Sequence, residues 1–414
     1  MRRDLFVLLC VSVWINYLDR GNLSVAAPAL APEMGLSAMQ TGVLLSAFFW
    51  TYSLLQPAAG WLVDRYDVYR LYGFAFALWS LAVFCGGIAT GFYTLLLSRL
   101  ALGIGESLAY PAYSRILAAG FGEQRRGFAN AMIDAGTKGG PALGTLAGGL
   151  MVEQLGWRWF FILMGGLSLI WLAPWFRAIP SKAEARRHAS GVAPGRILRL
   201  RKAWVTFLGL FCFNYAFYFL LTWLPSYLVG ERGFTLRQMA IYGALPFGAT
   251  AVTSVATGWW ADRRIQAGAH AGNLRRRIAV VGLLACSVCL FVSTMMAMPY
   301  AMIWLAAGFT GIGLFTSCVW AITQTLAGER AAGSWTGWQN AVGNMGGVAA
   351  PVITGWTVSL TGNFSAAFAA ASVMLLLAAA FYGLLLGDVE PEADLVAGLA
   401  NSNRSTGPGQ LTSA

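Results

Sequence analysis

The chain has 414 residues, of which 57% are hydrophobic and only 11% are charged. Soluble domains carry about 25% charged residues, so this composition excludes a cytosolic enzyme, a secreted disulfide scaffold and a disordered chain. The long apolar runs also exclude an outer-membrane barrel, whose strands alternate polar and apolar residues over about ten positions. The sequence therefore predicts an all-α membrane protein with many spans.

The net charge of +11 does not indicate nucleic-acid binding, because the basic residues lie in short loops between apolar runs. The six cysteines all fall inside apolar runs, and the sequence contains no Cys–His spacing typical of a metal site. The two histidines, His188 and His270, lie in polar segments, so a proton relay within the membrane has to use carboxylates. We expect no disulfide, no metal, no cofactor and no nucleic-acid partner.

A spanning helix needs about 20 apolar residues, and runs of that size recur along the whole chain. Counting them predicts twelve transmembrane helices. Their approximate limits are 5–31, 38–63, 70–90, 92–117, 127–152, 157–178, 203–229, 237–261, 278–298, 299–326, 333–360 and 364–387. The first stretch is not typical of a cleaved signal peptide, because it contains Asn16, Asp19 and Arg20 and further spans follow it.

The basic residues are distributed unevenly between the two ends of these spans. If the N-terminus is cytoplasmic, almost all Lys and Arg residues lie on the cytoplasmic side, as the positive-inside rule requires. We therefore expect an integral, multi-pass protein of the cytoplasmic (inner) membrane with both termini in the cytoplasm. The exceptions are three residues at outer ends and three within spans: Arg158, Arg232, Arg237, Arg20, Arg99 and Lys138.

A basic segment at 179–202 divides the spans into two sets of six. The motif Gly-Trp-x-x-Asp-Arg follows the second span at 60–65 and recurs after the eighth at 258–263. Two similar halves are typical of a transporter that alternates access around a central site, and one chain then suffices as a monomer. The expected units are an N-terminal bundle at 1–178, a cytoplasmic linker at 179–202, a C-terminal bundle at 203–387 and a disordered tail at 388–414.

The spans, the two halves and the repeated motif resemble those of the major facilitator superfamily. The chain also resembles its anion:cation symporter branch, through Asn16-Tyr17-Leu18-Asp19-Arg20 in span one and Arg99-x-x-x-Gly103-x-Gly105-Glu106 in span four. The resemblance covers about 1–387 and implies two pseudo-symmetric six-helix bundles that transport organic anions with protons. The repeated motif implies gating loops at Gly60, Asp64, Arg65, Gly258, Asp262 and Arg263.

Ionisable residues at membrane depth cost about 2.5–3.5 kcal/mol each on insertion scales, which makes them candidates for function. This chain has six such residues, and their formal charges sum to zero. A carboxylate that enters the cavity therefore makes it negative, and protonation of one acid restores neutrality. Electrostatics therefore favours co-transport of an anion with a proton. Six residues qualify: Asp19, Arg20, Arg99, Glu106, Asp134 and Lys138.

Asp19 and Arg20 are adjacent and point about 100° apart on a helix, so they need not pair with each other. The resemblance implies that Arg20 binds the substrate carboxylate and that Asp19 and Glu106 carry protons. Substrate bound at Arg20 or Arg99 would remove a cation from Glu106 and change how tightly Glu106 holds its proton. Structural ion pairs are the alternative, and Arg99 is either a substrate contact or the partner of Glu106.

Asp134 and Lys138 are four residues apart and can pair on one face of span five. Lys138 either extends the positive site for a second carboxylate or is neutralised by Asp134. The resemblance further matches Tyr17, Tyr52, Ser317, Trp320 and Asn340 to substrate-contact positions. Their hydroxyl, amide and ring groups suit sugar hydroxyls and a sugar face, and packing roles are the alternative.

The sequence thus predicts a proton-coupled symporter of small organic anions, with hexonates, hexuronates or aldarates as the expected class. Two carriers, Asp19 and Glu106, predict more than one proton for each monoanion. The alternatives are a neutral drug or metabolite exporter and a sodium-coupled or uniport organic-anion carrier. A sensor is not expected, because the sequence shows no signalling domain. An enzyme is not expected either, because the sequence shows no nucleophile–base constellation and no phosphate loop.

Overall fold

The computed structural model describes residues 3–120, 123–179 and 194–392, and within these ranges the chain is helical without strands. The N-terminal half contains α1 Arg3–Glu33, α2 Ala38–Arg65, α3 Val68–Gly87, α4 Phe92–Ser107, α5 Ala109–Gly120 and α6 Glu123–Ala178. The C-terminal half contains α7 Pro194–Ile197, α8 Arg201–Gly230, α9 Leu236–Gln266, α10 Ala271–Met295, α11 Tyr300–Thr361, α12 Ser365–Ala380 and a π turn Phe381–Leu385.

The helices account for the twelve predicted spans, because α6 and α11 each contain two and α4 with α5 forms one. Breaks at Gly156 (φ 79°) and Gly328 (φ 63°) divide the two long helices. Glycine adopts these positive φ values at no steric cost. Span four is interrupted at Leu108, because Pro111 has no N–H for the Ser107 carbonyl and its ring crowds that carbonyl.

Seven helical segments of the described chain are long and apolar enough to cross a membrane by themselves. They are Val68–Gly87, Gly139–Ala178, Arg201–Gly230, Leu236–Gln266, Ala271–Met295, Tyr300–Gly328 and Ser365–Leu385. The other predicted spans include α1, which carries Asn16, Asp19, Arg20 and Asn22 on its inner turns. A span that contributes polar groups to the interior is necessarily less apolar than one that only packs.

A second repeat marks the turn before the second helix of each half. The residues Glu33-x-Gly35-Leu36-Ser37-x-x-Gln40 match Glu231-x-Gly233-Phe234-Thr235-x-x-Gln238 at the same sequence offset as the Gly-Trp motif. Ser37 and Thr235 each accept from the backbone N–H three residues on, and Gln40 and Gln238 reciprocate in a capping box. The turns of the two halves are therefore built alike, down to a positive-φ glycine in each.

The glutamate of this second repeat fastens the last helix of its bundle. Glu33 accepts from Trp157 Nε1 at 2.7 Å and pairs with Arg158 at 3.4 Å, while Arg158 donates to the Ala89 carbonyl at 2.7 Å. In the other half Glu231 accepts from the backbone N–H of Phe364 at 2.6 Å. Equivalent glutamates thus hold the outer ends of both bundles together.

The two halves meet mainly near the helix ends opposite the chain termini. Ser24 donates to the Leu221 carbonyl at 2.7 Å, and Ser46 donates to the Val348 carbonyl at 2.7 Å. Gly42 lies against the Pro351 carbonyl, where a Cβ would approach to 2.5 Å. Small residues permit this close contact between helices of different halves.

The predicted linker and tail boundaries differ from the structure. Residues 180–193 and 393–414 lie outside the described part, but Arg201 and Lys202 already belong to α8. Of the tail expected to be disordered, 388–392 packs on the C-terminal half: Val389 is buried, and Glu392 pairs with Lys202 at 2.8 Å. One buried apolar residue and one ion pair therefore hold 388–392 to the bundle, and disorder of the remaining tail stays a prediction.

Candidate functional site

The first helix carries a buried polar face at mid-membrane depth. Asn16, Asp19 and Asn22 follow each other at three-residue spacing, which places them on one side of α1, and all three are at most 1% exposed. Neither carboxylate oxygen of Asp19 has a hydrogen-bond partner in the part of the chain that the structure describes. The sequence indicated that Asp19 and Arg20 need not pair, and in the structure Arg20 pairs with Glu106 instead.

Arg20 forms a buried ion pair across the N-terminal half. Its Nε donates to Glu106 Oε2 on α4 at 2.8 Å, and the two side chains are 7% and 0% exposed. Glu106 lies one turn before Pro111, at the end of the interrupted helix α4. Within the described chain, Arg20 Nη2 and Glu106 Oε1 are both without a hydrogen-bond partner. The pair therefore leaves a donor and an acceptor available at the same place.

Aromatic rings surround the Arg20 guanidinium. Its Cζ lies 4.5 Å from the ring centre of Tyr52, 4.8 Å from that of Tyr17 and 5.4 Å from that of Phe48. Ring faces attract a cation by about 0.5–2 kcal/mol while offering no competing hydrogen-bond acceptor. They therefore keep the guanidinium in place without occupying its N–H groups.

Arg99 also lies near the Phe48 ring, with its Cζ 5.5 Å from the ring centre. Its Nη1 donates to Asn22 Oδ1 at 3.3 Å, and its side chain is buried. The sequence left open whether Arg99 was the hydrogen-bonded partner of Glu106, and the structure gives that contact to Arg20. The four buried charges Asp19, Arg20, Arg99 and Glu106 still sum to zero.

Tyr17 extends the cluster towards the space between the halves. Its hydroxyl lies 3.1 Å from that of Tyr110, which is 38% exposed and follows the helix break at Leu108. A substrate that reaches Arg20 past these residues meets two phenol groups. Tyr110 was not among the residues predicted from the sequence.

One predicted contact and one pair of aromatic rings connect the two halves. Asn340 Nδ2 on α11 donates to Gln56 Oε1 on α2 at 3.1 Å. Tyr218 on α8 packs on Phe49 of α2, with ring centres 4.4 Å apart. The other predicted contacts on α11, Ser317 and Trp320, are half-buried, and the Ser317 hydroxyl donates to the Leu314 carbonyl of its own helix.

The repeated motif has the same local contact in both halves. The guanidinium of Arg65 lies 5.2 Å from the Trp61 ring centre, and that of Arg263 lies 3.9 Å from the Trp259 ring centre. Asp262 pairs with Arg275 at 3.4 Å. Gly60 and Gly258 have open space around them, whereas the Asp64 side chain lies outside the described part. Gating by these six residues remains a prediction.

Asp134 and Lys138 lie on α6, but their side chains are not among those that the structure describes. Their predicted pairing therefore stays a prediction. Other residues of the site were not predicted, although they carry a recognisable signal in the sequence. Phe48 and Gln56 flank Tyr52 at four-residue spacing on α2, and Asn22 follows Asp19 at three-residue spacing on α1. Helical spacing from a predicted site residue would have found all three.

The comparisons with known proteins agree with this architecture. The family model described as Major Facilitator Superfamily matches residues 9–351. The chain belongs to the Major Facilitator Superfamily. It is 32% identical to a D-galactonate transporter of Escherichia coli O6:H1, with 93% of this chain and 95% of the relative covered. It is 31% identical to a probable sulfoacetate transporter, SauU, of Cupriavidus necator, with 90% and 91% covered.

A solved structure shares the fold of this superfamily member. It is the crystal structure of a bacterial homolog to human lysosomal transporter Spinster in an inward-facing and occupied conformation. Its TM-score is 0.79 at 18% identity, over 92% of this chain and 95% of that one. The predicted fold, the multi-pass membrane location and the resemblance to the anion:cation symporter branch are confirmed, and the chain is a transporter rather than an enzyme.

Proposed function

We propose that this superfamily member is a proton-coupled symporter of small organic anions, with sugar acids as its substrate class. The observation that carries the proposal is the buried Arg20–Glu106 pair, in which the guanidinium holds a protein carboxylate and keeps Nη2 free. A guanidinium with a further N–H donor is suited to a carboxylate, which it binds by two parallel hydrogen bonds. The names of the two relatives, a galactonate and a sulfoacetate transporter, support an anionic substrate.

The substrate carboxylate is proposed to compete with Glu106 for Arg20. A guanidinium binds a carboxylate by two parallel hydrogen bonds, and only Nε is engaged by Glu106. When substrate takes over these donors, Glu106 loses its cation in a buried environment. An unpaired buried carboxylate is expensive, so Glu106 takes up a proton as the substrate binds.

Asp19 supplies a second proton site. Its carboxyl group is buried and has no donor among the side chains that the structure describes, so it cannot rely on a hydrogen bond to remain charged. Moving one negative charge inward against 100 mV costs about 2.3 kcal/mol. One proton cancels this cost for a monoanion, and a second makes uptake electrogenic. We propose more than one proton for each monoanion.

The surroundings of Arg20 support a hydroxylated substrate. Tyr17, Tyr110, Gln56 and Asn340 offer hydroxyl and amide groups near the ion pair or between the halves. Such groups pair with sugar hydroxyls, whereas a short sulfonate presents none. Substrate enters from the cytoplasmic or the opposite side in turn, as the halves alternate. We place both termini in the cytoplasm and the protein in the inner membrane, on the charge bias of its loops.

Uptake by proteoliposomes with a trapped pH dye tests the proposal. The panel contains hexonates, hexuronates, aldarates, sulfoacetate and a neutral hexose, each offered with an inward proton gradient. We expect lumenal acidification with a sugar acid, loss of acidification in Glu106→Gln, and unchanged behaviour in Glu153→Gln, which alters an exposed glutamate on α6. Acidification with sulfoacetate alone would reassign the substrate class.

The same uptake assay distinguishes the proposed function from the alternative transport classes. Uptake that follows a sodium gradient and leaves the pH unchanged would establish sodium coupling instead. Uptake of the neutral hexose would support the neutral-metabolite class. Zero current during sustained proton-coupled uptake of a monoanion would contradict the proposed stoichiometry.

A further inference from the structure

A crevice of about 530 Å³ lies between α9, α10 and α11 in the C-terminal half. Its walls include Ala256 and Leu314, which are apolar, and Trp260 and Arg277, which lie nearer the turn between α9 and α10. Ala256 is one helical turn, about 6 Å, deeper than Trp260. The crevice is therefore lined almost entirely by apolar groups, and its polar end is the end near the turn, where Trp260 and Arg277 lie.

The crevice faces the bilayer. Val255 beside it is 71% exposed and Val281 in its wall is 58% exposed, although both belong to helices apolar enough to span a membrane. Valine exposed on a spanning helix contacts acyl chains. The crevice thus opens on an exposed apolar helix surface, which acyl chains can reach.

Positive charge is concentrated at its polar end. Residues 262–277 contain five arginines and one aspartate. Arg275 pairs with Asp262 at 3.4 Å, Arg276 donates to the Gly387 carbonyl, and Arg264 lies 5.5 Å from the Trp260 ring centre. Arg277 has no ion pair, hydrogen bond or ring contact with any residue that the structure describes. Arg277 lines the crevice and is exposed, and it has no partner in the described chain.

The N-terminal half has no such excess at the equivalent turn. The segment 64–70 carries Asp64, Arg65, Asp67 and Arg70, so its formal charges cancel, and Arg70 lies 3.6 Å from Asp67. Because the balanced turn supports the same fold, the fold does not require the extra arginines of the C-terminal half. They are a local addition next to the crevice.

We propose that this crevice binds one anionic diacyl phospholipid. An acyl chain lies along Ala256, Ile278 and Leu314, and the headgroup phosphate is bound by Arg277 with Arg264 beside it. Trp260 lies at the level of the headgroups, where tryptophan is enriched in membrane proteins. A basic pocket between transmembrane helices at the membrane surface is the chemistry that anionic headgroups recognise.

Native mass spectrometry of the purified protein tests this site. Phosphatidylglycerol and phosphatidylcholine with identical acyl chains are added separately, and bound lipid is counted. We expect phosphatidylglycerol to bind more tightly to the wild-type protein, and Arg277→Gln to weaken its binding about fivefold, since one basic residue near the surface contributes about that much. Phosphatidylcholine binding should not change.

Two control variants separate the effect of the arginine charge on lipid binding from the effect of the crevice shape. Arg237→Gln removes an exposed arginine from the opposite end of α9 and should leave lipid binding unchanged. Ala256→Phe fills the crevice without altering charge and should weaken the binding of both lipids. Equal binding of the two lipids by the wild-type protein would overturn the proposal, as would unchanged binding in Arg277→Gln. Complete displacement by glycerol 3-phosphate would show that the site binds phosphate alone, which also overturns it.

Discussion

Replacing Arg20 by lysine keeps the positive charge and removes the planar fork of donors. In the structure one donor of that fork, Nε, binds Glu106 at 2.8 Å, and Nη2 is without a hydrogen-bond partner in the described chain. An ammonium group can still pair with Glu106, but it cannot present two parallel N–H groups to a carboxylate. Arg20→Lys therefore preserves the positive charge but removes the pair of parallel N–H donors.

The expected loss follows from the hydrogen bond that the substrate cannot form. A hydrogen bond to a charged group contributes about 1.5–3 kcal/mol, and each 1.4 kcal/mol is a factor of about ten in affinity. Arg20→Lys should therefore weaken substrate binding about 10- to 100-fold. The guanidinium also lies against the rings of Tyr17 and Tyr52, which adds a smaller loss of packing.

Isothermal titration of the purified protein with the substrate found in the uptake panel measures this affinity. Arg237→Lys makes the same change at an exposed position and should bind as the wild-type protein does. A melting temperature within a few degrees of wild type shows that Arg20→Lys is folded. Wild-type affinity in a folded Arg20→Lys variant would refute the view that this guanidinium binds the substrate carboxylate.

Three further changes test the fold around the site. Gly42→Val places side-chain atoms against the Pro351 carbonyl, so uptake should fall and stability should decrease by about 1–3 kcal/mol, while Gly166→Val, which meets open space, should do neither. Phe48→Leu removes the ring that lies near both Arg20 and Arg99 and should lower the unfolding free energy by about 1–2 kcal/mol, with Phe48→Tyr close to wild type in a thermal melt. Truncation after Gly387 removes buried Val389 and should destabilise by about 1.5–3 kcal/mol, whereas truncation after Glu392 should not, and equal melting temperatures would contradict the packing described for 388–392.

The candidate site was partly accessible from the sequence. Asp19, Arg20, Arg99 and Glu106 are recognisable because a charge inside an apolar run is costly and therefore conspicuous. Their partners were not accessible. The Arg20–Glu106 contact joins residues 86 positions apart, and the spacing of Arg99 and Glu106 on one helix pointed towards a different pair.

The uncharged members of the cluster could not be predicted from the sequence either. Phe48 contacts both guanidiniums, and Tyr110 meets Tyr17, yet aromatic residues are common in apolar helices and most of them pack. Only the neighbouring helix decides which ring faces a cation. The repeat from Glu33 to Gln40 was visible in the sequence, but its meaning emerged from the contacts of Glu33 and Glu231 with the last helix of each bundle.

Apolar run lengths, the bias of basic residues and the repeated motifs determine the twelve spans and the two halves, because the bilayer imposes length and burial on each helix separately. These are local requirements, and a single segment satisfies them. Contacts between segments depend on how helices rotate and cross, which one helix cannot specify. The tertiary structure therefore decided the pairing of Arg20 with Glu106, the contact of Phe48 with two arginines and the docking of 388–392 on the C-terminal half.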